Sequence, residues 1–118
     1  MTTSHAILVL TLFAGIPPLF AQEATKTGIL IDAMCGEMSA KNPEQAAHHK
    51  VACALMANCL ATGFGIVSEG NFYKFDESGD EKAVQIAKGT QKMERLEVKV
   101  TGEFQEDSVK VSEIEEIE

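Results

Sequence analysis

The sequence predicts an α+β domain, a small antiparallel β-barrel of about five strands with one long inserted helix and one short helix, behind an apolar leader. Three observations lead there. The first charged residue of the 118 is Glu23. One Ala- and Leu-rich segment has helical periodicity, and short apolar segments separated by turn residues flank it.

The leader reads MTTSHAILVLTLFAGIPPLFAQ. Its apolar run covers residues 6–16, broken by Thr11 and Gly15, and stops at Pro17-Pro18. The small residue Ala21 follows. A short apolar run, a breaker and a small residue have the form of a cleavable signal peptide, here residues 1–21. The run is shorter than the about 20 residues a membrane-spanning helix needs. No cysteine stands at the cleavage point, so no lipid or other stable membrane anchor is expected after cleavage. Export to the bacterial periplasm or the exterior follows, with residues 22–118 as one domain. All 10 Lys and Arg and all 18 Asp and Glu lie beyond the leader, so the net charge stays at -8. An acidic surface disfavours phosphate backbones and anionic lipid headgroups, which argues against nucleic acid as a partner.

Residues 27–33, TGILIDA, form the first strand, and the run Ile29-Leu30-Ile31 implies burial on both faces. Residues 34–41 read as a loop holding Cys35. Asn42-Pro43-Glu44-Gln45 is a helix start: Asn42 can cap, Pro43 suits the first helical position, and Gln45 completes a capping box. The helix runs over about 43–61, with Ala52, Leu55, Met56, Cys59 and Leu60 on one stripe, and Gly63 ends it. An earlier end near Asn58 is an alternative, because Asn tolerates the left-handed conformation.

Residues 64–68 and 72–76 form a hairpin across Glu69-Gly70-Asn71. Residues 76–79 turn the chain, and 80–88 form the short helix, ended by Gly89. Residues 93–104 alternate, with Leu96, Val98 and Val100 on one side and Glu97, Lys99 and Thr101 on the other. Gly102 marks a bulge. A last strand carries Val109 and Val111. Three strands, a helix and a two-strand hairpin, with an extra helix after the first strand, is the order of an OB-like barrel.

Candidate chemistry is concentrated between Asp32 and Cys59. Eight of the nine Cys, His and Met side chains beyond the leader lie there: Cys35, Cys53, Cys59, His48, His49, Met34, Met38 and Met56. On an unbroken helix His49 and Cys53 share a face, and Met56 and Cys59 continue it. Cys53 and Cys59 would then be about 9 Å apart along the axis, beyond disulfide reach. Cys35 can bridge Cys53 or Cys59, and one cysteine is left over. An odd thiol in an exported chain implies a reactive thiol, an intermolecular bond or a metal ligand.

Three readings stay open. A disulfide from Cys35 staples a small core, in an interaction module with no metal. Alternatively Cys35, His49, Cys53 and Cys59, supplemented by Met56, bind zinc or copper: zinc accepts such a set, and thioethers favour copper(I). In the third, a thiol beside His49 is redox-active. Asp32 is a candidate ligand or base, though such an Asp more often caps a turn. The acidic stretch 76–81 lacks the calcium-loop pattern. There is no G-x-S-x-G, P-loop or G-x-G-x-x-G motif, so a binding or structural domain is expected rather than an enzyme.

The segments GILIDAMCG, HHKVACALMANCLATGFGI, GNFYKFDESGDEKA and VKVTGEFQEDSVKVSEI together resemble a family of small exported bacterial proteins of unknown function. The matching positions include Asp32, Cys35, Gly36, His49, Cys53, Met56, Cys59, Gly63, Gly65, Gly70, Lys74, Phe75, Asp76 and Gly102. The resemblance implies secretion and a small β-rich domain, and carries no activity with it.

Overall fold

A computed structural model describes residues 22–118; the leader, residues 1–21, lies outside them. Strand β1 (Ala24–Asp32) is the seam of the fold. It pairs antiparallel with β4 (Glu97–Phe104) from Ala24↔Gly102 to Ile29↔Glu97, then with β2 (Phe64–Ser68) from Ile29↔Val67 to Asp32↔Phe64. β2 turns into β3 (Asn71–Phe75) through Glu69 and Gly70, both at positive φ (50° and 83°), the pair of values a tight hairpin turn demands. β4 pairs antiparallel with β5 (Ser108–Glu116), with the bulge at Thr101/Gly102. The glycine there is obligatory, since a Cβ would stand 2.1 Å from the Lys110 carbonyl oxygen.

The barrel closes in the order β1-β2-β3-β5-β4. Its closing seam corrects the antiparallel expectation: β3 and β5 run parallel, with Lys74↔Ser108 and Phe75↔Val109 in register. β3 reaches β5 through a helix and β4, a route that returns the chain in the same direction, as parallel neighbours require.

The interior is filled by Leu30, Phe64, Ile66, Phe75, Val98, Val100 and Val109. Each such side chain contributes about 1.5–3 kcal/mol by leaving water. The long strand expected over 93–104 is confined to its second part, where Val98 and Val100 point inward. A second, smaller core lies on the outer face of β1 and β2, where Ile31, Ala33, Ala46, Val67 and Phe72 meet. That is why Ile29-Leu30-Ile31 is a continuous apolar run: neighbouring residues serve different cores.

Among the described residues five helices decorate the barrel. The last, α5 (Glu77–Gly89), starts earlier than 80 because Asp76 Oδ1 caps it, accepting from the Gly79 N–H at 3.1 Å and also from the Val111 N–H at 3.2 Å. Its Ala83 and Ala87 pack on the barrel core. The segment expected as a loop is helix α1 (Ala33–Ser39). Gly36 lets it lie on Phe72, whose ring atom would be 2.4 Å from a Cβ there.

The expected long helix over 43–61 is instead three short ones: α2 (Pro43–Ala47), α3 (Val51–Ala54) and α4 (Ala57–Leu60). Asn42 does cap the first, accepting from the Gln45 N–H at 3.2 Å. Lys50 (ψ 136°) and Met56 (ψ 149°) are extended and interrupt the rest. Tertiary partners cause the first break: the Val51 N–H donates to the Met93 carbonyl at 2.8 Å, and His48 Nδ1 lies 2.7 Å from Glu94 Oε1. These bonds replace helical ones at a point where few apolar contacts hold the helix straight.

Candidate metal centre

Asp32 ends β1 and is wholly buried, at 0 % exposure. Its extended backbone (ψ 154°) and acidic side chain make it the N-cap of α1. Oδ2 accepts from the Cys35 N–H at 3.0 Å, and Oδ1 lies 2.9 Å from His49 Nε2. Cys35 therefore sits in the first turn of α1, directly above the carboxylate that orders that turn.

Cys59 arrives from the other side, in the last turn of α4. Thr62 fixes it: its hydroxyl donates to the Cys59 carbonyl at 2.7 Å and accepts from the Met34 N–H at 3.2 Å. The Ala33 N–H donates to the Gly63 carbonyl at 2.8 Å. These bonds fasten the end of α4 to the start of α1. One ligand atom each from Asp32, Cys35 and Cys59 then lies within 4.8 Å of the other two.

All three cysteines are free thiols, which corrects the expectation of a staple from Cys35 to Cys53 or Cys59. The sulfurs of Cys35 and Cys59 are neighbours without a bond. Burial pushes the Cys35 thiol up to about 11, and the charge and hydrogen bond of Asp32 add to that, with Cys59 contributing less. The Cys59 thiol is raised for the same leading reasons, burial and then the Asp32 charge. Both are protonated at neutral pH and are weak nucleophiles. A cation placed between them reverses this, because its charge outweighs the carboxylate's and displaces the thiol protons.

The residues named from the sequence divide accordingly. Cys35 and Cys59 meet. His49 reaches the site only through Asp32, and its helical neighbourhood with Cys53 is lost because His49 lies in the break between α2 and α3. Cys53 lines an open groove of about 430 Å³ with Val51, Leu55, Lys92 and Met93, and it lies outside the converging group, although its charge still bears on Cys59. Met56 is the exposed N-cap residue of α4. The Asp32–His49 pairing was not foreseen from the sequence. Asp-x-x-Cys at the end of an apolar strand signals only the cap that puts the carboxylate beside Cys35; His49 meets Asp32 from 17 residues away.

No family model matches the chain, and neither a curated protein nor a solved structure matches it. Among the described residues no helix is long and apolar enough to cross a membrane.

Proposed function

We propose that this protein is a small exported domain of the family it resembles, and that it binds one soft metal ion, zinc or copper(I), rather than acting as an enzyme. The observation that carries the reading is the meeting of Asp32, Cys35 and Cys59 within 4.8 Å. Two thiolates on one tetrahedral ion with bonds near 2.3 Å stand about 3.8 Å apart, so small side-chain adjustments suffice. His49 supports the site from behind by holding Asp32, as partners of metal-site carboxylates do. The raised Cys35 and Cys59 thiols argue against a nucleophilic thiol. Export rests on the leader alone.

The test is metal analysis and thiol counting on protein purified anaerobically without chelator, followed by titration with zinc and with copper(I). One equivalent of metal is expected, lost in Cys35→Ser and Cys59→Ser and retained in Cys53→Ser. Failure to take up either ion would remove the proposal.

A further inference from the structure

Among the described residues the exposed large hydrophobic side chains are Met34, Met38, Met56 and Met93, at 45, 72, 61 and 74 %. No Leu, Ile, Val or Phe is among them. Had these positions needed only apolar bulk, that uniformity would be unexpected; thioether sulfur is what the four share. Three of them belong to the elements that bear the two converging thiols. Met38 follows Cys35 by three residues in α1, on the same helical face. Met34 precedes Cys35, and its N–H bonds the Thr62 hydroxyl that also holds Cys59. Met56 opens α4, three residues before Cys59.

The donor set narrows the metal. The Asp32 oxygens hold the neighbours of the site, Oδ1 with His49 and Oδ2 with the Cys35 N–H, and a carboxylate is a hard ligand that a soft ion does not need. A closed zinc site wants four N, O or S ligands, and the group that converges holds three, with Cys53 outside it. Two thiols and surrounding thioethers suit copper(I), which is satisfied by few, soft sulfur ligands.

We infer that the centre is a copper(I) site, with Cys35 and Cys59 as its ligands and the exposed Met34, Met38 and Met56 as the thioethers that capture the ion and complete its coordination. This rests on the metal-binding reading and names its ion. Asp32 is then a positioning residue, ordering Cys35 without touching the metal. The flexible, polarizable methionine side chain can swing from solvent to the ion, which gives the ion a path between the surface and the thiol pair.

The experiment supplies copper(I) anaerobically as its bicinchoninate complex to the chain without its leader, and zinc in parallel against a chromogenic chelator. Copper(I) should be taken from the competitor and zinc held more weakly. X-ray absorption of the copper form should show nearest neighbours that are all sulfur, more than two of them. The triple variant Met34→Leu, Met38→Leu, Met56→Leu should lose about tenfold or more in copper(I) affinity, the scale at which supporting groups act, with zinc affinity unchanged. Met93→Leu should change neither. Because the three side chains are exposed, their replacement leaves the fold in place. Unchanged copper(I) affinity in the triple variant, oxygen in the nearest shell, or tighter zinc than copper(I) would each overturn the inference while leaving a metal site. Binding of neither ion would remove the metal reading itself.

Discussion

The barrel and the helical excursion between β1 and β2 are built on different principles. The barrel is held by long ladders and a continuous interior in which Phe64, Ile66, Val98 and Val100 are fully buried. The excursion has four short helices, α1 to α4, and none of them is long enough to be stable by itself. It is held by caps and single tertiary bonds: Asp32 to Cys35, His49 to Asp32, Thr62 to Cys59 and Met34. Both thiols of the candidate site belong to the second region, and Asp32 stands where that region leaves β1. Chemistry is carried where the backbone is irregular, and the regular part supplies a fixed edge to hang it on.

The contrast can be broken at its strong side first. Ile66→Ala, inside the barrel, should cost about 2–5 kcal/mol, read by urea denaturation, and should unfold both regions together. A variant that lost ordered helices while keeping the barrel would show that the regions are not one cooperative unit. Asp32→Ala acts at the junction. It removes a helix cap and orphans His49, costing about 2 kcal/mol, and it should weaken metal binding by about tenfold or more. Asp32→Asn, which still caps, should recover most of the stability. Gly70→Ala is smaller: no atom lies within 4 Å of an added Cβ, so only the positive φ opposes it. The cost should be about 1 kcal/mol, with the centre untouched.

The finest test is pH. In the metal-free protein the folded Cys35 thiol keeps its proton to about 11, whereas the unfolded thiol releases it near 9.0. The folded state therefore binds more protons across that window, and its stability falls as pH rises from about 9 towards 11. Cys59 adds to the same trend. Alkylation of Cys35 should be slow at pH 7 and accelerate towards pH 11. Fast labelling at neutral pH would show that the thiol is not buried beside Asp32 as described.

The barrel was legible because its signals are local. Phe64–Ser68 ran as expected, Gly102 marked the bulge, and alternation placed Val98 and Val100 inside. The parallel β3–β5 seam was not, since strand direction around a barrel depends on connections that no short segment encodes. In the excursion, the stripe through Leu55, Met56, Cys59 and Leu60 presupposed one continuous helix. Extended residues at Lys50 and Met56, the first drawn by Met93 and Glu94 from far along the chain, invalidate that spacing. The cluster of soft side chains was visible as composition. Which of them meet was decided by the breaks, so Cys35 and Cys59 converge while His49 and Cys53 part.

Asp32 and Phe64 face each other as partners in the β1–β2 ladder. The chain thus departs from the barrel and rejoins it on the same rung. Segments inserted at such a point can lengthen, shorten or be exchanged without shifting the alignment of any strand, because loop-closure cost grows only slowly with length. The site-bearing segment is in that sense a cassette. Its mouth is set by the barrel, and its contents can be rewritten in evolution or by graft while the container is kept.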